Sequence, residues 1–142
     1  MTTLLAADIG GTKSELAILD ITDQSWTPVA RKRYVNRHFS NLTEVIASFL
    51  SEIDTAPVYG SIGVAGIVDG RKAKLTNLPW HVECHDLEQQ FGFEEVVLVN
   101  DLTAMCSGIS LLLPDDLLEL QEGEAATKNE VKGVIAPGTG LG

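Results

Sequence analysis

The sequence predicts a mixed α/β sheet whose first three strands form an antiparallel meander and whose later strands are joined by helical crossovers. Two apolar runs around a short glycine-containing turn, at residues 4–7 and 16–19, indicate a β-hairpin. Apolar residues then recur at helical spacing between residues 42 and 53. The apolar run at residues 96–99 is typical of a strand covered on both faces. Strands that alternate with helices indicate crossover connections.

The first half of the chain is predicted to hold the hairpin, a third strand at residues 26–34, one helix and a buried strand. Ser40 or Asn41 can cap the helix, and Pro57 ends it. Residues 58–68 are predicted to be one buried strand with a glycine at every third position. Glycine inside a strand indicates a bend or the close approach of another backbone segment.

The second half is predicted to alternate short strands and helices and to end in a connector and a turn. Glycine closes one of these helices and proline stops another. In chain order the predicted elements are a turn at 69–70, a strand at 71–75, a loop at 76–80, a helix at 85–91, a strand at 95–99 and a helix from Asn100 to about Leu112. These are followed by an acidic connector at 114–132 with a helical turn at 115–120, a strand at 131–136 and a glycine-rich turn at 137–142.

Composition limits the possible partners and location of the protein. The chain has 142 residues, a net charge of −10 and a pI near 4.6, which argues against a nucleic-acid or anionic membrane surface because both need a basic patch. Cys84 and Cys106 are too few for a disulfide framework, which favours the cytoplasm. Asp8 interrupts the N-terminal apolar run, and no apolar stretch approaches the ~20 residues that span a bilayer.

The hairpin turn carries the first candidate site. Asp8 precedes Gly10, Gly11 and Thr12, and successive amide N–H groups in such a turn can bind an anion. A carboxylate can hold Mg²⁺, which in turn bridges to phosphate, so the pattern predicts a magnesium–nucleotide site. An ordinary tight turn that contains an aspartate is the alternative. A P-loop is excluded, because Thr12 separates Gly11 from Lys13.

The second candidate is the Asn100-Asp101 pair, which follows the buried strand. Ligands of open α/β sheets bind beyond the carboxyl ends of the strands, so Asp8, Asn100 and Asp101 are predicted to share one cleft. A helix cap is the alternative for the pair, although a cap needs only one such residue. A carboxylate at this place can accept a proton from a hydroxyl that attacks a phosphoryl group.

The third candidate is the glycine-rich turn that contains Gly138, Thr139 and Gly140. It repeats the features of the first turn, a predicted strand followed by glycine and threonine. Two such turns can hold a polyphosphate from both sides. The alternative is a flexible glycine-rich chain end.

Together these stretches resemble the actin-like ATPase and sugar kinase superfamily, and in particular the bacterial glucokinase family of the hexokinase type. The resemblance covers nearly the whole chain, in the family's order and spacing. It implies a ribonuclease H-like mixed sheet with helices on both faces, as in the small domain of actin-like ATPases. The stretches that carry it are DIGGTK at 8–13, LTNLPW at 75–80, the helix at 87–92, VNDLTA at 99–104 and GTGLG at 138–142.

The resemblance implies a role for each matching residue. Asp101 is similar to the base that deprotonates the 6-hydroxyl of D-glucose, Asn100 to a ligand of a hexose hydroxyl, and Asn77 to part of the loop beside the sugar. Asp8 is expected near Mg²⁺. The segments expected to contact the phosphates of ATP are Ala7, Asp8, Ile9, Gly10, Gly11, Thr12 and Lys13, together with Gly138, Thr139 and Gly140. The implied reaction converts ATP and D-glucose into ADP and glucose 6-phosphate, the first step of glycolysis.

The family also implies a domain division and an incomplete site. Residues 1–111 are expected to form the small domain, and residues 112–142 a connector and the opening of a large domain. The adenosine pocket and further sugar ligands are expected beyond Gly142. We therefore expect an N-terminal portion that has little activity alone and that self-associates as a homo-oligomer through apolar surface at residues 111–120 and 131–136.

Two alternatives to a glucokinase stay open at this stage. One is another sugar kinase, of the repressor/ORF/kinase family, acting for example on an N-acetylhexosamine, because its members share the DIGGT and GTG turns. The other is a module that senses a sugar or nucleotide without turnover. The stretches at residues 77–80 and 100–104 favour glucokinase, and Asp101 favours catalysis over sensing.

Overall fold

The computed structural model describes residues 2–22, 25–123 and 131–137. The chain divides into two compact units, Met1–Asp101 and Leu102–Gly142. The strands are β1 (Thr2–Ile9), β2 (Lys13–Ile21), β3 (Trp26–Val35), β4 (Tyr59–Val64), β5 (Gly66–Asp69), β6 (Lys72–Leu75), β7 (His81–Glu83) and β8 (Glu95–Asn100). The α-helices are α1 (Leu42–Leu50), α2 (Cys84–Phe91) and α3 (Asp101–Gly108), and short 3-10 helices lie at Asn36–His38, Ile109–Leu111 and Pro114–Asp116.

The first unit contains a five-stranded mixed sheet with the order β3-β2-β1-β4-β8. β1, β2 and β3 pair antiparallel, and β1, β4 and β8 pair parallel. The predicted α/β sheet, with a meander followed by crossovers, is therefore confirmed. A second, antiparallel sheet has the order β5-β6-β7.

The core lies against one face of the five-stranded sheet. Alternate residues of the strands are fully buried there, because successive side chains of a strand point to opposite faces. The strand residues of this core are Leu5, Ile9, Leu16, Ile18, Ile62, Val64, Val96 and Leu98, and the helices add Leu42, Val45, Ile46, Phe49 and Leu87. Val97 lies on the other face and is 47% exposed, so the prediction that the described residues cover this strand on both faces is wrong.

Helix α1 begins as predicted, because Asn41 caps it. The side chain of Asn41 accepts a hydrogen bond from the N–H of Glu44 at 2.9 Å, and the carboxylate of Glu44 accepts one from the N–H of Ser40 at 2.7 Å. The first bond satisfies one of the amide groups that a helix start leaves without partners, and the second holds the residue that precedes the cap.

The single strand predicted at residues 58–68 is wrong, because the chain changes sheets at Ala65. β4 ends at Val64, and β5 pairs with β6 in the second sheet from Gly66 onward. A Cβ atom at Gly66 would lie 2.2 Å from the carbonyl oxygen of Lys74. The glycine therefore permits the close backbone approach that starts the new sheet.

The other differences concern short elements. The sequence analysis missed β7. Helix α3 ends at Gly108 and is followed directly by the 3-10 helix at Ile109–Leu111, so helical structure extends close to the predicted end near Leu112.

The predicted strand at residues 131–136 is also wrong, because these residues have no regular secondary structure. Val131 is 98% exposed and Ile135 is 78% exposed. β-propensity reflects packing against neighbouring strands, so apolar residues without such packing do not form a strand. The helical turn predicted at residues 115–120 is limited to the 3-10 helix at Pro114–Asp116.

Candidate functional site

Three predicted site residues lie at one edge of the five-stranded sheet. β1, β4 and β8 run parallel, so their carboxyl ends meet at the same edge, where Ile9 pairs with Val64 and Val64 with Asn100. Asp8 is the penultimate residue of β1, Asn100 is the last residue of β8, and Asp101 begins α3. The fold thus brings these polar side chains to the edge at which α/β sheets bind ligands.

Asp8 has a raised pKa. Although its side chain is exposed, partial desolvation by the surrounding atoms is the largest cause, and the negative charges of Asp101 and Glu15 add to it. Glu15 lies directly opposite Asp8 in the β1–β2 pairing. The site is therefore crowded with negative charge, and a bound cation would favour the ionised form of Asp8.

Glu15 stays ionised because two arginines on β3 bind it. Hydrogen bonds from Arg33 and Arg31 lower the pKa of Glu15. The Nη2 and Nε atoms of Arg33 lie 2.6 and 2.9 Å from one carboxylate oxygen, and Arg31 pairs with the other oxygen. The sequence analysis missed this anionic neighbour of Asp8, although residues directly opposite each other across a hairpin have their side chains on one face of the sheet.

The turn between β1 and β2 is open on one side. The N–H of Gly10 donates to the carbonyl of Lys13 at 3.0 Å, which closes the hairpin. In the described part of the chain, no acceptor takes the N–H groups of Gly11 and Thr12. Two neighbouring N–H donors in a glycine turn can bind an anion.

The other residues predicted to touch ATP phosphates differ in what they can offer. Ile9 is fully buried and Ala7 packs against the core, so each can present only backbone atoms to a ligand. Thr12 and Lys13 are exposed. Gly138, Thr139 and Gly140 lie outside the described residues.

The loop that contains Asn77 lies against this turn. A Cβ atom added to Gly11 would come 3.0 Å from the Cβ of Asn77. The loop is held by hydrogen bonds from Leu75 N–H to the carbonyl of Trp80, at 3.2 Å, and from Thr76 N–H to the carbonyl of Ala65, at 3.0 Å. The predicted sugar loop and the predicted phosphate turn are therefore in contact.

Asn100 connects the two sheets. Its side-chain amide donates to the carbonyl of Gly66 at 3.1 Å, at the point where the chain enters the second sheet. This bond restricts the orientation of the Asn100 carboxamide. The position of Gly66, the first residue of β5, thus affects the orientation of Asn100, which is a predicted sugar ligand.

The Asn36 side chain is a second feature that the sequence analysis missed. It is 1% exposed and forms hydrogen bonds with Gly10 and Ser14, on either side of the open turn. An asparagine after a strand is common in turns, so the sequence carried no signal that separates this residue from an ordinary loop asparagine.

The described residues contain no group of three or more His, Cys, Asp and Glu side chains arranged to hold a metal ion. None of their helices is long and apolar enough to cross a membrane.

Comparisons with known proteins agree with the predicted family. A family model described as glucokinase matches residues 5–142. The glucokinase of Nostoc punctiforme is 37% identical over 144 aligned positions, which cover 100% of this chain and 42% of that protein. The chain thus spans less than half the length of this curated relative.

Solved structures share the fold. The crystal structure of a glucokinase from an Antarctic psychrotroph superposes with a TM-score of 0.79 at 25% identity, over 89% of this chain and 40% of that chain. The glucokinase of Balamuthia mandrillaris, solved in complex with glucose, has a TM-score of 0.59 at 21% identity, over 77% of this chain and 32% of that chain. At 21% identity, the likeness to the Balamuthia mandrillaris structure supports the fold alone. From the family match and its coverage of the sequence, we conclude that the chain belongs to the glucokinase family.

Proposed function

We propose that the full-length protein containing this chain transfers the γ-phosphoryl group of ATP to the 6-hydroxyl of D-glucose. The observation that carries the proposal is the common position of Asp8, Asn100 and Asp101 at one edge of the parallel strands, in a chain of the glucokinase family. The polar residues at this edge and the open turn beside them supply the groups that such a reaction needs.

Asp101 is proposed as the general base. Its carboxylate would accept the proton of the 6-hydroxyl while that oxygen forms a bond to the γ-phosphorus and the bond between phosphorus and the ADP oxygen breaks. Asn100 is proposed to hydrogen-bond a sugar hydroxyl through its carboxamide, whose orientation is held by Gly66. Asn77 is proposed to border the sugar from the adjacent loop.

The turn at residues 10–12 is proposed to bind the phosphates of ATP through its free N–H groups. Asp8 would hold Mg²⁺, because magnesium in kinases is usually bound by one or two carboxylates together with phosphate oxygens. The residues present fit this ion, since Asp8 is a carboxylate whose ionised form is disfavoured by the negative charges of Asp101 and Glu15 and would be favoured by a cation. When bound, the ion would neutralise charge on the phosphates. Gly138, Thr139 and Gly140 are proposed to contact the phosphates from the second turn.

The remaining assignments concern the whole protein. Residues 1–111 are proposed to belong to the small domain, and residues 112–142 to the connector and the opening of a large domain. We further propose a cytoplasmic enzyme that forms a homo-oligomer. The acidic composition, the two cysteines and the exposed leucines at positions 111, 112, 113, 117, 118 and 120 support these assignments.

The test of the mechanism is Asp101→Asn in the full-length protein. Turnover is expected to fall by roughly 10²–10⁴, the usual contribution of a general base, because an amide cannot accept the proton. The affinity for glucose should change much less, since the amide still forms hydrogen bonds. A coupled assay for glucose 6-phosphate and calorimetry with glucose measure the two effects.

Asp54→Asn is the matched control, because Asp54 is an exposed aspartate outside the proposed site. It should leave both turnover and glucose affinity at the wild-type level. Normal turnover by Asp101→Asn would show that Asp101 only starts helix α3 and would overturn the mechanism.

A further inference from the structure

Asn36 is joined to the open turn between β1 and β2 by three hydrogen bonds. Its backbone N–H donates to the carbonyl of Thr12 at 2.9 Å, and its side-chain Nδ2 donates to the carbonyl of Gly10 at 2.8 Å. Its Oδ1 accepts from the hydroxyl of Ser14 at 2.7 Å. Asn36 therefore contacts the first residue of the turn, Gly10, and the last, Thr12. It also contacts Ser14, near the start of β2.

These bonds fix two peptide planes of the turn. In a trans peptide the C=O and the N–H of one unit point in opposite directions, and the described residues contain no cis bond. Since the carbonyl of Gly10 points to Asn36, the N–H of Gly11 points away from it. In the same way the carbonyl of Thr12 directs the N–H of Lys13 away from Asn36. The direction of the Gly11 and Lys13 N–H groups thus depends on Asn36.

The site is built for an asparagine. Asn36 and Ser14 are both buried, at 1% and 0% exposure, and buried polar groups need partners. A carboxamide offers a donor to Gly10 and an acceptor to Ser14 within one planar group. An aspartate of the same shape would keep the acceptor and lose the donor.

We propose that Asn36 is a positioning residue for nucleotide binding, which orients the N–H group of Gly11, in the turn between β1 and β2, toward the phosphates of ATP. The proposal rests on the proposed function for the identity of the ligand. It adds a residue outside the stretches that resemble the family's motifs. Asn36 does not touch ATP in this account, and it acts through the backbone of the turn.

The proposal predicts a selective loss of nucleotide binding in the full-length protein. Asn36→Asp should weaken the binding of Mg–ATP, measured by calorimetry without sugar, by roughly tenfold. This is the worth of one well-made hydrogen bond between a phosphate and the Gly11 N–H. The binding of glucose, measured without nucleotide, should change by less than about threefold, because the shape of the buried side chain is kept. Ser14→Ala should have a smaller effect on Mg–ATP, since the bond to Gly10 stays.

Asn41→Ala is the control for a purely structural effect. It removes the cap of α1, away from the turn, and is expected to lower the melting temperature as Asn36→Asp does. If Asn36 acts through the turn, Asn41→Ala lowers stability but leaves Mg–ATP binding unchanged. Equal losses of ATP and glucose binding in Asn36→Asp, or wild-type ATP binding, would overturn the proposal.

The same experiment separates the two proposals. A wild-type protein that binds Mg–ATP but does not phosphorylate glucose would overturn the proposed reaction, while the effect of Asn36→Asp on ATP binding still decides the role of Asn36. A wild-type protein that binds no Mg–ATP would overturn both.

Discussion

Replacement of Gly66 by alanine should destabilise the junction between the two sheets. A Cβ at this position would lie 2.2 Å from the carbonyl oxygen of Lys74, 2.8 Å from the Cα of Leu75 and 2.9 Å from the carbonyl carbon of Lys74. All of these atoms belong to the backbone of β6, so none of them can move by a simple side-chain rotation. β5 and β6 must separate to admit the methyl group.

The expected cost follows from these contacts. Overpacking usually costs about 1–3 kcal/mol, and rigid backbone neighbours favour the upper end of that range. Movement of β5 also strains the hydrogen bond from Asn100 to the carbonyl of Gly66, which is worth about 1 kcal/mol. The free energy of unfolding should therefore fall by about 3–4 kcal/mol, a large part of the 5–15 kcal/mol that is typical of domains.

Urea unfolding of the chain, followed by tryptophan fluorescence, measures this cost. Trp80 is 2% exposed and lies next to β7, so it reports on the second sheet. Gly70→Ala is the matched control, because Gly70 lies in the same hairpin with φ of +59° and open space around it. Its cost should be about 1 kcal/mol, from the left-handed backbone alone. A Gly66→Ala variant no less stable than Gly70→Ala would refute the steric argument.

The remaining predictions concern the acidic residues of the site. Asp8→Asn should weaken Mg–ATP binding but raise the melting temperature at neutral pH, because the raised pKa of Asp8 means that its ionisation opposes folding. The stabilising effect should vanish as the pH falls below 3.8, where Asp8 is protonated in both the folded and the unfolded chain, and its persistence there would contradict the argument. Glu15→Gln should lower stability above pH 4.5 and have progressively less effect as the pH falls through the lowered pKa of Glu15, because the bonds from Arg31 and Arg33 favour its ionised form. A pH series of thermal melts measures both, and a loss of stability in Glu15→Gln that does not depend on pH would count against the second.

Much of the fold could be predicted because its signals are local. The hairpin, the cap at Asn41 and the crossover strands follow from short patterns of apolar, polar and turn residues. The shared edge of Asp8 and Asn100 follows from the same strands once they are known to be parallel. These are the parts in which neighbouring residues along the chain determine the structure.

The parts that could not be predicted depend on contacts between distant segments. Three glycines recur in the region of β4 and β5, but only the proximity of Lys74 shows that Gly66 is the one at which the second sheet begins. The role of Asn36 depends on Gly10 and Ser14, which lie more than 20 residues away. The apolar residues near Val131 were predicted to form a strand from propensity alone, although a strand needs a partner.

The most direct test of the account is the product formed by the purified full-length protein from ATP and a sugar. Incubation with D-glucose or N-acetylmannosamine, followed by mass spectrometry and a coupled assay for glucose 6-phosphate, identifies the acceptor and the phosphorylated position. The account predicts glucose 6-phosphate and ADP in equal amounts from wild-type protein, and a loss of roughly 10²–10⁴ in rate with Asp101→Asn. Phosphorylation of the N-acetylhexosamine in preference to glucose, or binding of both ligands with no transfer, would contradict it.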